Sequence, residues 1–79
     1  MTTTDVTSLR AEALFASPLQ PSETSTSGQV RTAVHTTLRR LGVRRCALIV
    51  AADFGDHPEL AVERMSWVIE AIRNAYPYV

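Results

Sequence analysis

The chain predicts an all-α fold: a small three-helix core over about residues 28–41, 44–54 and 57–76, preceded by a short helix and a Pro/Ser-rich linker. Three observations carry this. Apolar residues recur at helical spacing beyond residue 28. Gly42 and the run Phe54-Gly55-Asp56-His57-Pro58-Glu59 punctuate that pattern where helices would stop and start. Outside one short apolar run, nothing reads as a strand, and a lone strand would have no partner.

In chain order, residues 5–16 come first. Asp5 or Thr7 can cap a short helix whose Leu9, Ala13 and Leu14 share a face. A helix of that length is marginal in water, so its order depends on docking. Residues 17–28 hold two of the four prolines and many Ser and Thr. That composition buries too little apolar area to fix a backbone, and it reads as an extended linker. The natural division is therefore 1–27, short helix and linker, and 28–79, helical domain.

Val30, Ala33, Val34, Leu38 and Leu41 recur at i, i+3, i+4, i+8 and i+11, one apolar face. Gly42 offers a left-handed stop, and Arg39 and Arg40 in the last turn suit the helix dipole. The run Cys46-Ala47-Leu48-Ile49-Val50-Ala51-Ala52 is short enough to be a buried strand or a buried helix. Its three alanines and the lack of any partner strand favour helix. Being apolar nearly all round, that helix is expected at the centre of the packing.

The next corner has a reason for each residue. Gly55 can end a helix by taking positive φ, and Asp56 can cap the next one. Pro58 is tolerated in a first turn, and Glu59 completes a capping box with Asp56. In the last helix, Val62, Met65, Ile69, Ile72 and Tyr76 form the expected main stripe. Leu60, Trp67 and Ala71 form a second row. A two-sided apolar helix needs two partners. One is the bundle core; the other is the N-terminal segment, through Leu14, Phe15 and Leu19, or a second chain.

Bulk composition excludes several functions. The 79 residues make one small domain, with formal net charge zero from eight Arg and eight acids, and no Lys. A neutral chain has no general attraction for nucleic acid or anionic membrane. One cysteine, Cys46, allows neither an internal disulfide nor a Cys-rich zinc site. The N-terminus is polar and the longest apolar run far too short for a bilayer, so no signal peptide or membrane span is expected and the chain is expected in the cytoplasm.

Each chemical motif weakens beside its plainer reading. The corner spacing Ala51, Gly55, Ala61 resembles a helix-turn-helix over residues 44–70. Its candidate reading helix, however, begins with His57, Glu59 and Glu63, with Arg64 as the only base among those early residues, and carboxylates repel phosphate. Asp53, Asp56, His57 and Glu59 could hold a metal or trade protons, but capping and solvation account for all four. Cys46 in an apolar run reads as an inert core thiol, and His35 as a surface residue. Arg39, Arg40, Arg44 and Arg45 bracket Gly42 as the one basic cluster, suited to a helix end, to solubility or to an anionic ligand. Ser66 sits mid-helix and lacks the Asp-Ser-Leu setting of an acyl carrier. Trp67 is the only tryptophan, a residue type enriched at interface hot spots.

The segment Ser17-Pro18-Leu19-Gln20-Pro21-Ser22, the corner Phe54-Gly55-Asp56-His57-Pro58-Glu59, and Arg64-Met65 with Trp67 resemble a group of short uncharacterised actinobacterial proteins. The likeness covers about residues 14–76, and the corner string is its most distinctive part. The arginine-only composition is consistent with it. No activity, cofactor or catalytic residue comes with that resemblance. It implies that the linker string belongs with the domain, which favours docking.

The sequence thus predicts no enzyme, no catalytic residue, no metal and no cofactor. It predicts a small protein–protein interaction or regulatory module, acting on a protein partner or on itself as a homodimer. Its interface would use Leu60, Trp67 and Ala71, with Leu14, Phe15 and Leu19 as the N-terminal residues facing them. The alternative is a DNA-binding regulator; a nucleic-acid partner, a membrane or a small-molecule substrate is not expected.

Overall fold

The computed structural model describes residues 5–21 and 25–77, which form three helices and no strand: α1 (Val6–Ala16), α2 (Ser27–Asp56) and α3 (Pro58–Ala75). Of the expected linker, residues 22–24 lie outside the described residues. The expected first and second core helices are the two halves of α2, joined end to end at Gly42. A straight helix of 30 residues would be about 45 Å long. The described chain spans only 32 Å in its longest direction, so the halves turn sharply against each other.

Gly42 makes that turn. Its φ of 81° is positive, as a left-handed stop requires, but its ψ is 164°. That pair lies near a region open essentially to glycine alone, so the first helical half stops there, as expected, and the second starts at once in a new direction. At its start, α2 carries a capping box. The Thr26 hydroxyl accepts from Gln29 N–H at 3.1 Å, and Gln29 Oε1 accepts from Thr26 N–H at 2.8 Å. Asp5 caps α1, accepting from Thr7 N–H at 3.2 Å.

The corner between α2 and α3 is tighter than expected and has a different cause. A single residue, His57, serves as C-cap of one helix and N-cap of the next, with φ −139° and ψ 65°. Its N–H donates to Asp53 O at 2.7 Å, and its carbonyl accepts from Ala61 N–H at 2.9 Å. Pro58 at the first helical position drives the break, because its ring excludes the α conformation from the residue before it. Gly55 lies inside α2 without positive φ and does not end the helix. Asp56 is the last residue of α2 rather than a cap, and α3 has no side-chain cap hydrogen bond, so the expected box of Asp56 with Glu59 does not form. Glu59 does sit in the first turn, where it complements the dipole.

One apolar cluster joins all three helices. Ala11, Ala13, Leu14 and Phe15 come from α1, Val30, Val34 and Cys46 from α2, and Ala61, Val68, Ile72 and Ala75 from α3. The N-terminal helix is thus a full member of the core rather than a segment preceding it. Ala33, Leu38 and Leu41 pack half-buried on the expected face of α2. The second half of α2 is not central: Cys46 is buried and Val50 and Phe54 partly so, but Val43, Leu48 and Ile49 face outward. On α3 the buried stripe runs through Ala61, Val68, Ile72 and Ala75. Val62 and Ile69, expected in the core, are exposed, and Met65 and Tyr76 are half-buried. Small residues let α1 come close to α3, so bulk alone misplaces the stripe by part of a turn.

Two glycine substitutions test this account with opposite signs. Gly42→Ala should destabilise the protein by about 1–3 kcal/mol through backbone strain alone, since an added Cβ there meets nothing within 4 Å. Gly55→Ala should stabilise it by about 0.5–1 kcal/mol, because the position is helical and equally open. Urea unfolding midpoints of the two variants and the parent read both effects.

Candidate interaction surfaces

The most connected polar side chain is Arg64 on α3. Its Nε donates to Phe15 O at 2.9 Å, and its Nη2 donates to Ser17 O and Leu19 O at 3.0 Å each, with a longer approach of 3.4 Å to Leu14 O. These are the carbonyls that the end of α1 leaves without helical partners, plus the first turns of the segment after it. No basic residue lies in the last turn of α1 itself, so α3 supplies the cation that the dipole favours there. The guanidinium also lies 5.5 Å from the Phe15 ring centroid and 5.4 Å from that of Trp67. Burial pulls its pKa below the ordinary arginine value, while Asp53 pulls the other way.

Ser17 completes the junction. Its hydroxyl donates to Leu14 O at 2.6 Å and accepts from Leu19 N–H at 3.3 Å, turning the chain towards Pro18. A second arginine repeats the device at the far end of the molecule. Arg31 on α2 donates to Ala75 O at 3.0 Å, closing the C-terminus of α3, and Arg10 stacks 3.9 Å above the Tyr76 ring.

The expected interface residues separate. Leu14 and Phe15 are interior, and Phe15 stacks on Phe54 with ring centroids 6.0 Å apart. They belong to the fold and not to a free face, because α1 inserts its apolar side between α2 and α3. Leu19, Trp67 and Ala71 are half-buried against the core. Leu60 is 63% exposed, the most open of the large apolar side chains among the described residues. Two clefts meet at Trp67. One, of about 350 Å³, is lined by Gln20, Pro21, Leu60, Glu63, Arg64 and Trp67. The other, of about 210 Å³, lies among Ser25, Val30, Trp67, Ala71 and Asn74. Gln20 and Pro21 thus border the Leu60–Trp67 surface, on which Leu60 stays open.

The candidate chemical groups stay apart. Among the described residues no group of three or more His, Cys, Asp or Glu side chains could hold a metal ion. Asp53 is half-buried, whereas Asp56, His57 and Glu59 are exposed around the corner. Cys46 is a free thiol, buried to 1% exposure, and its pKa is raised by desolvation first and by Glu12 second. His35 is exposed, as are Arg39, Arg40, Arg44 and Arg45. Among the described residues no helix is long and apolar enough to cross a membrane.

Sequence reasoning misses Arg64 and Arg31 as clamps, because their acceptors lie more than forty positions away. The Thr26–Gln29 box is readable from its spacing. No family model matches the chain, no curated protein matches it, and no solved structure matches it.

Replacing Arg64 by Met keeps much of the stem's packing and removes the donors. It should cost about 1–3 kcal/mol, since the site is only partly buried and water can replace some of the bonds. Loss of amide-exchange protection in α1 ahead of α2 and α3 would show that the clamp holds that helix. The Cys46 thiol should resist a disulfide reagent in the native state and react fully in denaturant. Its folded pKa is above its unfolded one, so its contribution is intact below the ordinary thiol value and is lost as pH climbs through the folded one. A Cys46→Ser variant should lack that alkaline decline in unfolding free energy.

Proposed function

We propose that this protein is a non-enzymatic protein-interaction module whose partner docks on the Leu60–Trp67 surface of α3. The observation that carries the reading is the open Leu60 beside the cleft walled by Pro21, Arg64 and Trp67. An exposed leucine costs little alone. Here it adjoins a half-buried indole, in a recess of a size to accept one or two apolar side chains of a partner. Interface anchors are typically such aromatic and arginine-rimmed recesses. Because Arg64 is held by backbone carbonyls, the recess is preformed, which lowers the ordering cost of binding.

The same engagement weighs against the helix-turn-helix alternative. Arg64, the base that reading needs, spends its donors within the chain, and the corner around it carries Asp53, Asp56, Glu59 and Glu63. A cytoplasmic setting suits a chain whose one thiol is buried and unpaired.

Peptide display on the immobilised protein tests the proposal, because the selection itself reports the sequence that binds. Selected peptides should carry an apolar anchor, alter Trp67 fluorescence, and bind Leu60→Asp at least about tenfold more weakly. Circular dichroism of that variant should match the parent, because the side chain is exposed. Peptides that bind Leu60→Asp as tightly as the parent would overturn the proposal.

A further inference from the structure

The second half of α2, residues 43–56, carries an outward face that the fold leaves unpartnered. Its inward side holds Cys46, Val50 and Phe54. Opposite them, Arg45, Leu48, Ile49, Ala52, Gly55 and Asp56 share one stripe at helical spacing. Leu48 is 58% and Ile49 36% exposed, and Ala52 and Gly55 lie open between them and the helix end. An apolar centre with a base at one end and an acid at the other is what a helix needs to meet its own copy running the opposite way.

We infer that this face is a self-association surface, and that its occupant is a second copy of the chain packed antiparallel about a two-fold axis. With the axis passing between Val50 and Ala51, Arg45 of one chain meets Asp56 of the other, twice per dimer. Ile49 then faces Ala52, and Leu48 packs towards the small residues opposite. A two-fold interface must be self-complementary in this way, residue i meeting j and j meeting i. Small side chains at Ala52 and Gly55 allow the helices to approach closely, and nothing lies within 4 Å of a Cβ added at Gly55.

The charges give a second, independent argument. Arg44 and Arg45 follow Gly42 at the start of this helical half, where the dipole disfavours cations. Among the described residues neither is in an ion pair; the one ion pair there joins Arg73 with Glu70 at 4.0 Å. Asp56 serves no cap for α3, as the corner geometry shows. An antiparallel copy supplies Arg45 and Asp56 each with its opposite and sets the C-terminal end of one dipole beside the N-terminal end of the other. The contact is a single pair of four-turn helices, so the association is weak, with Kd of about 10–1000 μM.

This surface is separate from the Leu60–Trp67 recess, and the experiment distinguishes the two. Sedimentation equilibrium of the full chain, up to about 1 mM, should show a monomer–dimer equilibrium that weakens with salt. Leu48→Asp, Arg45→Asp and Asp56→Arg should each be monomeric with unchanged helicity. The double variant Arg45→Asp/Asp56→Arg should dimerise again, and an equimolar mixture of the two single charge variants should form a heterodimer. That rescue cannot arise from a merely structural effect of either substitution. Leu60→Asp should dimerise like the parent. A parent that stays monomeric throughout, dimers that survive Leu48→Asp, charge swaps without rescue, or loss of dimer in Leu60→Asp would each overturn the inference.

Discussion

The end of α1 has carbonyls that no helix of its own can satisfy, and Arg64 satisfies them from α3. Much of the architecture follows from that one side chain. It fixes α1 against α3, and with it the apolar side of α1 that fills the gap left by α2. It also sets the path of residues 17–19, which leave α1 under the guanidinium and lead to Gln20 and Pro21 beside Trp67. A helix of 11 residues is marginal alone. Here its apolar face, its dipole and its orphan acceptors all find partners on other helices. A guanidinium suits the place because its fork of donors reaches several carbonyls at once, which an ammonium does less well.

The turns at Gly42 and His57 make that arrangement geometrically reachable. Both occur with minimal loop. At Gly42 the backbone takes a conformation other residues avoid, and a second helical half follows the first at once in a new direction. At His57 the proline that follows forces one residue out of the helix, and a new helix starts at once. Long loops are thereby avoided in a domain with little core to hold them. The small residues Ala11, Ala13, Ala61 and Ala75 complete the scheme by letting the helices meet at short range. A core built this way spreads its contacts thinly, and it leaves Leu48, Leu60, Val62 and Ile69 on the outside. Scattered singly, such side chains are ordinary on a protein surface.

How much of this is legible along the chain depends on the range of the interaction concerned. Helical periodicity, the glycine at 42 and the proline at 58 act over one or two turns, and they mark the helices and their junctions. The face Val30, Ala33, Val34, Leu38 and Leu41 is likewise a local pattern. The corner is legible, but its cause is not: Gly55 and Asp56 are residue types that often stop and cap helices, and here they do neither. Pro58 alone suffices, and with the break placed at His57 neither is needed. The candidate interface is half legible. Leu60 and Trp67 stand out by type and spacing, whereas Leu14 and Phe15 read equally as core or contact until α1 is placed.

The order of residues is enough to make the described chain helical, to mark where its helices bend or break, and to say which residues are apolar enough to pack. These follow from backbone preferences and from periodicity, which are properties of short segments. Which apolar face lies inside depends on how the helices pack in three dimensions. Val62 and Ile69 look like core by bulk, yet Ala61 and Val68 are buried because α1 lies against that side. That packing also turned Arg64 from a surface base into a clamp on carbonyls 45–50 positions away, and the second half of α2 from a central helix into one with an open, charge-tipped face. Burial is a relation between distant segments, so no local pattern could have settled it.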